Sequence, residues 1–381
     1  MNTIRCVAAV WLLMVSLCAH ADITIGVILS LTGPGASLGI PEKNTVELMP
    51  TSLAGQKVKF IILDDASDTT TAVRNAQKLI VEDKIDMLIG PSISPTSVAV
   101  LDTIGRAEVP MVSLAGGDVI VVPQEGARRW AFKMAPPEAV QGGSIFDHFQ
   151  KNGGKTIAFI AVANAFGESW TSGVNRLTEA RRIKTLAIEK YNANDTSVTA
   201  QVLKVMAANP DAVLIASFGT PAALPVIELR RRGYRGAIYL NQGVANVDFL
   251  RVGGKDLDGS YLPVAPALVA EQLADSDPIK KVAMEWVTAY EGRHGPGSRS
   301  LFGATAWDAF LILKEVAPTA LKAGAPGTAA FRRALRDGFE RITNLVTSQG
   351  VYSMSEKDHV GADARAQVLV RIENGKWVLV K

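Results

Sequence analysis

Cysteine is almost missing from this chain. Of 381 residues only Cys6 and Cys18 are cysteine, and both fall within the first 21 positions. From Asp22 onward disulfides, cysteine-ligated metals and thiol nucleophiles are therefore excluded. Histidine is scarce beyond that point too, with only His148, His294 and His359. An excess of one charge is also missing: 40 Lys and Arg against 37 Asp and Glu leave +3. The clusters Arg128-Arg129, Arg181-Arg182 and Arg230-Arg231-Arg232 are short and read as solvated helix ends, so neither nucleic acid nor a membrane surface is an expected partner. A membrane-spanning run is missing as well. The apolar stretch Val7 to Leu17 is shorter than the roughly 20 residues a spanning helix needs. With Arg5 before it and Ala19-His20-Ala21 after it, residues 1–21 fit a signal peptide cleaved after Ala21, which implies export. Leu17 is too large for the residue that usually precedes a lipid-modified cysteine, which argues against a lipoprotein anchor at Cys18.

What is present is alternation. Ile23 to Leu29 and Val58 to Leu63 are apolar strands; helices are expected at Glu42 to Leu53 and Thr70 to Glu82. The pattern restarts after Pro136-Pro137. Helices are expected at Gln141 to Asn152, Ser169 to Arg182, Thr196 to Ala208 and Ala222 to Arg232. They alternate with strands at Thr156 to Val162, Leu186 to Tyr191, Ala212 to Ser217 and Ala237 to Leu240. Strand–helix alternation argues for parallel sheets covered by helices on both faces. The last third differs: long helices at Pro278 to Gly292, Gly303 to Val316 and Thr328 to Asp337, then strands Gln367 to Ile372 and Trp377 to Val380 across the hairpin turn Asn374-Gly375. The expected fold is α/β, two doubly wound parallel-sheet lobes joined by three crossings with a cleft between them. The expected division is 22–137 plus 267–345 for the first lobe and 138–266 plus 346–381 for the second.

The stretch Asp86 to Gly117 is the most informative. A strand at Met87 to Ile89 runs into Gly90-Pro91-Ser92, a helix follows, and a second strand from Val109 to Leu114 ends in Ala115-Gly116-Gly117. A parallel crossover puts both strand ends on one edge of the sheet. In open α/β sheets that carboxyl edge is where ligands bind.

At this point the order of motifs resembles the type I periplasmic binding proteins of ABC importers, in the branched-chain amino acid-binding branch. The matching pieces are Ile25-Gly26 with Leu31-Thr32-Gly33, Asp64-Asp65, Ile89-Gly90 with Ser94, and Val109-Pro110 with Ser113 and Ala115. Phe166-Gly167-Glu168, Gly233-Tyr234 and Ala306-Trp307-Asp308 follow in the same order. The resemblance implies two hinged lobes closing on a small molecule, no enzymatic activity, a monomer in the periplasm, and a separate membrane permease as partner. It implies no cofactor and no metal. It places ligand groups at Ser94, Ala115, Gly116 and Gly117 on the first lobe and at Phe166, Phe218 and Gln242 on the second. Leu38 takes a position where amino-acid binders often carry an aromatic ring. An extracytoplasmic sensor is the alternative use of the same lobes.

The residues themselves qualify that picture. Ser94 before Pro95 reads as a helix N-cap; a helix start at this edge also offers N–H groups to a carboxylate. Thr96 and Ser97 are the next hydroxyls. Gly117 stands where the resemblance implies a threonine, and Gln242 where it implies a carboxylate for an α-ammonium. Gln brings no charge, and a buried ammonium without a counter-charge is costly. Glu138 is the nearby acid that would have to substitute. The expected ligand is therefore a small carboxylate without an α-amino group, aromatic or short-chain. Gly35-Ala36-Ser37-Leu38-Gly39 matches a nucleophile-elbow pattern, but it needs a histidine, and His359 sits in a polar Lys-Asp-His stretch that reads as a surface turn.

Overall fold

A computed structural model describes residues 22–380. The expected signal peptide, with Cys6 and Cys18, lies outside them. The first lobe is built on β1 (Ile23–Leu29), β2 (Ser52–Leu53), β3 (Gln56–Asp64), β4 (Met87–Ile89), β5 (Met111–Ser113) and β6 (Ala131–Lys133). They lie in the order β2-β3-β1-β4-β5-β6. All neighbours are parallel except β2, which runs antiparallel to β3. Almost every residue of β1 is buried, as expected of a strand covered on both faces. Helices α1 (Ala36–Val46), α2 (Thr69–Val81) and α3 (Ser94–Arg106) make the crossovers.

The second lobe holds β7 (Thr156–Val162), β8 (Lys184–Tyr191), β9 (Ala212–Ala216), β10 (Ala237–Leu240) and β11 (Tyr261–Val264). A small two-stranded piece, β12 (Leu345–Val346) with β13 (Val351–Tyr352), is separate. The hairpin β14 (Val368–Glu373) and β15 (Lys376–Leu379) completes the large sheet in the order β15-β14-β11-β10-β9-β7-β8. Strands β7 to β11 are parallel, whereas β14 pairs antiparallel with β11 and β15 antiparallel with β14. Its turn residues Asn374 and Gly375 both have positive φ, as a two-residue hairpin turn requires. This lobe carries α4 (Glu138–Lys151), α5 (Ala165–Ala180), α6 (Thr199–Ala207), α7 (Ala223–Arg231) and α8 (Val247–Gly253). Helices α9 (Pro278–His294), α10 (Leu301–Ala323) and α11 (Ala329–Phe339) follow. Phe310 and Leu313 of α10 and Phe331 and Leu335 of α11 are buried in the core of the first lobe.

The chain order reverses on either side of β1 and on either side of β7. Each reversal opens a crevice at the carboxyl ends of the strands, and the two crevices face each other. One boundary differs from expectation. Tyr352, Met354, Val360 and Ala366 bury their side chains in the first lobe's core, so the final crossing falls at the start of β14 rather than at residue 346. Several helices also start earlier than their periodicity suggests. Helix α1 begins at Ala36 and holds Pro41 inside it, and the expected helical end at Ser52–Leu53 is strand β2. Helix α5 begins at Ala165 because Asn164 caps it, its Oδ1 accepting from the N–H groups of Phe166 and Gly167 at 3.0 and 3.3 Å.

Candidate ligand-binding site

The cleft residues come from strand ends and helix starts. Leu38 lies in the first turn of α1, held against the sheet because Gly39 passes so close to Ser30 that a Cβ would stand 2.2 Å from the Ser30 carbonyl oxygen. Ser94 opens α3 and Phe166 lies in the first turn of α5. Phe218 follows β9, and Gln242 begins a short turn after β10 whose Asn241 side chain accepts from Gly243 N–H at 3.2 Å. Together with Ala115 and Gly116, these residues wall one cavity between the lobes. About 450 Å³ of empty space lies within this narrow cavity and its mouth.

The lobes touch across it. A Cβ on Gly116 would stand 3.1 Å from the Phe166 ring, and one on Gly219 would stand 2.6 Å from Ser37 Oγ and 3.0 Å from Leu38 Cδ1. The N–H of Leu301 donates to Ala245 O at 3.1 Å. Leu38, Ile93, Leu301 and Phe302 of the first lobe pack into the apolar core of the second. The molecule is in a closed form.

Seven of the eight expected residues line the cavity; Gly117 does not. Its N–H donates to Ser94 Oγ at 3.0 Å, so it stands behind the wall and orients the serine. Ser94 is not the helix cap either. Ile93 holds the cap position without a side-chain bond, and Ser94 Oγ is engaged by Gly117 instead. The Ser94 hydroxyl accepts that bond and keeps its own proton to donate. Among the described residues, no protein acceptor lies within reach of the N–H groups of Ser94 and Gly116. Thr96 and Ser97 turn away: Thr96 Oγ1 donates to Ile93 O, and Ser97 Oγ pairs with Ser113 Oγ at 2.9 Å.

Gln242 is 4% exposed, and its Oε1 accepts from Gln367 Nε2 at 2.9 Å. Its free group is therefore the NH₂, a donor. Glu138 lies outside the cavity lining. Its Oε1 accepts from Asp118 N–H at 3.2 Å, and its own N–H donates to Asp118 Oδ2 at 3.1 Å. Lys133, fully buried on β6, donates to Asp118 Oδ1 at 2.6 Å and to Gly116 O at 3.0 Å. This cluster ties the Ala115–Gly117 loop to the first crossing. Burial, and then the charge of Asp118, push the Glu138 carboxyl up to about 7.

Sequence reasoning missed Phe302, Gln141 and Thr305, which also line the cavity. Phe302 and Thr305 are on the first turns of α10, a helix from the distant last third. Its Ser300 cap, whose Oγ accepts from Phe302 N–H at 3.2 Å, was the available signal. The nucleophile-elbow pattern has no partner: Ser37 lies within α1, and its Oγ is buried without a hydrogen bond. His359 is not at the surface. It is buried, stacks on Phe132 with centroids 4.0 Å apart, and bonds Ala131 O and Glu340. No group of three or more His, Cys, Asp or Glu among the described residues is placed to hold a metal ion. No described helix is long and apolar enough to cross a membrane.

Two facing α/β lobes, three crossings and a closed cleft at both switch points define a hinged binding protein. Residues 22–376 match the family described as periplasmic binding protein. The chain belongs to that family. It is 25% identical over 330 residues to the Leu/Ile/Val-binding protein homolog 3 of Brucella melitensis, covering 84% of each chain. An extracellular ligand-binding receptor from Rhodopseudomonas palustris HaA2 is 40% identical with a TM-score of 0.91, over 95% of this chain and all of that one. The solute-binding protein of an ABC transporter from Rhodopseudomonas palustris BisB5, solved with 3,4-dihydroxybenzoic acid, shares the fold at 20% identity and a TM-score of 0.77, over 94% and 96%. The protein is a periplasmic solute-binding protein of the ABC-transporter type.

Proposed function

We propose that this protein captures a small carboxylate lacking an α-amino group, with an aromatic or apolar body, and presents it to a membrane permease. One observation carries the reading: among the described residues that line the cavity, none is Asp, Glu, Lys, Arg or His. An ammonium in this cavity has no counter-charge. Gln242, at the place of the expected acid, has its oxygen already engaged, and Glu138 is bound into the Asp118–Lys133 cluster. Desolvating a charge without a partner costs several kcal/mol.

A carboxylate is better served. The Ser94 hydroxyl, the free N–H groups at the start of α3 and of Gly116, and the Gln242 NH₂ are all donors, and the helix start adds a favourable dipole. Phe166, Phe218 and Phe302 supply the apolar wall, where each buried ring contributes roughly 1.5–3 kcal/mol. Phe166 and Phe218 meet edge to face, with centroids 6.3 Å apart. The relatives support the class of activity and leave the ligand open, since one is named for branched-chain amino acids and another was solved with a benzoate.

The mechanism is hinge closure. The ligand bonds Ser94 and Gly116 on one lobe and Gln242 on the other only when the lobes meet, so it favours the closed form. Calorimetry on matched pairs tests the reading: phenylalanine against 3-phenylpropionate, and leucine against 4-methylpentanoate. The desamino acid is expected to bind tighter in each pair. Tighter binding of both amino acids refutes the charge argument.

A further inference from the structure

The polar groups facing the cavity divide unevenly. Donors with free capacity are the Ser94 O–H, the Gln242 NH₂ and the Gly116 N–H. The remaining hydroxyls are engaged. Ser92 Oγ accepts from Ser30 N–H at 3.0 Å and donates to the buried Glu42 carboxyl. Thr305 Oγ1 donates to Leu301 O at 3.0 Å. Among the described side chains that line the cavity, one buried atom has no partner at all. Gln141, 1% exposed on the first turn of α4, lines the cavity, and its Oε1 has no hydrogen-bond partner.

The orientation of that amide is fixed by its neighbour. Gln141 Nε2 donates to Pro136 O at 2.9 Å. With nitrogen and oxygen exchanged, two acceptor oxygens would face each other. The unpaired atom is thus the oxygen, an acceptor, and it is buried at the wall of a ligand cavity. Buried polar groups in folded proteins are nearly always paired, and an unpaired one points to a partner that arrives from outside.

We infer that the ligand carries a hydroxyl group that donates to Gln141 Oε1, so that the natural solute is a hydroxylated carboxylate. The inference rests on the carboxylate reading above and adds a second polar end to it. Donors gather the carboxylate, the three phenylalanines flank the body, and the unpaired Gln141 Oε1 receives the hydroxyl proton. A neutral amide oxygen suits a hydroxyl, which needs one acceptor. It does not suit an ammonium, which brings three protons and a full charge. Gln141 also spans two functions, because its nitrogen holds the carbonyl of the first crossing. A ligand bonded to its oxygen is thereby tied to the segment where the lobes pivot.

The test is calorimetry on acids that differ by one hydroxyl. The probes are benzoate against 2-, 3- and 4-hydroxybenzoate, 3-phenylpropionate against 3-(4-hydroxyphenyl)propionate, and 4-methylpentanoate against 2-hydroxy-4-methylpentanoate. Each is titrated into wild-type protein freed of bound solute by unfolding and refolding. At least one hydroxylated acid is expected to bind tenfold or more tighter than its parent, the gain of one buried hydrogen bond to an otherwise unpaired acceptor. In Gln141→Met, of similar length and without the acceptor, that preference is expected to vanish, the hydroxylated acid and its parent then binding within about threefold of each other. Parents that bind with no hydroxyl preference overturn this inference and leave the carboxylate reading standing, as does a preference that survives in Gln141→Met. Failure of every acid while leucine or phenylalanine binds overturns both. If Gln141→Met does not fold, because Pro136 O loses its donor, the wild-type pairs decide the matter alone.

Discussion

Gly117 carries the sharpest prediction, because its part in binding is indirect. Its backbone, at φ −76° and ψ 131°, is open to any residue, so Gly117→Ala introduces no strain of its own. The new Cβ would stand 2.7 Å from Ser94 Oγ and 3.2 Å from Ser94 Cβ. The shorter contact forces the hydroxyl to rotate away. Two bonds are then lost. The Gly117 N–H to Ser94 Oγ bond is neutral and contributes ~1 kcal/mol to stability. The Ser94 bond to a ligand carboxylate is charge-assisted and contributes ~1.5–3 kcal/mol to affinity, so Kd is expected to rise by about 10- to 150-fold. Ser94→Ala removes the same ligand bond, and its Cβ clash with Ala at 117 is relieved by a few tenths of an ångström. Adding Gly117→Ala to Ser94→Ala is therefore expected to change Kd by less than about threefold. A double-mutant cycle by calorimetry, with the tightest-binding carboxylate as probe, measures this coupling. If the two losses simply multiply, Gly117 does not act through Ser94 and the reasoning is wrong.

Two further outcomes concern the cluster at the first crossing. Glu138 is raised from its ordinary value of 4.5 to about 7, so folding holds a proton there that the unfolded chain has released. Its favourable contribution is complete below 4.5 and is lost as pH rises through 7. Wild-type thermal stability is thus expected to fall from pH 6 to pH 8 more steeply than that of Glu138→Gln, and parallel curves for the two proteins would contradict it. Lys133→Met deletes the buried cation and leaves Asp118, a quarter exposed, with only the Glu138 N–H. Urea denaturation is expected to show a loss of ~3 kcal/mol, the lower end for a broken buried pair, and a loss under ~1 kcal/mol would mean the ion pair is dispensable.

The sheet strands were legible where they are buried on both faces. The continuous apolar runs of β1, β7 and β9 leave no other placement, and Asn374-Gly375 announced the last hairpin. Strands β6 and β11 passed unread, because Lys133 and Pro263 interrupt their apolar patterns. Lys133 is tolerated there because Asp118 and Gly116 O meet its ammonium, which only tertiary contact reveals. The same limit applies to the cleft. Ser94 stood before a proline in the position of a cap, yet its hydroxyl is taken by a residue 23 positions away. Phe302 and Gln141 reach the cavity from helices whose starts periodicity placed two or three residues late. His359 hid behind polar neighbours, and its burial depends on stacking against a strand 227 residues earlier.

The three crossings also govern how such a chain comes into being. Ile23 and Ala366 belong to one apolar core, and β11 is flanked on its open side by the hairpin β14–β15, with Tyr261 opposite Arg371. Neither lobe is a contiguous stretch, so neither can finish folding while the tail is still being made. A polypeptide emerging N-terminus first remains incomplete in both halves until Ala366 and β14 are available. The hairpin β14–β15 thus completes the second lobe's sheet, although it contributes no residue to the cavity wall.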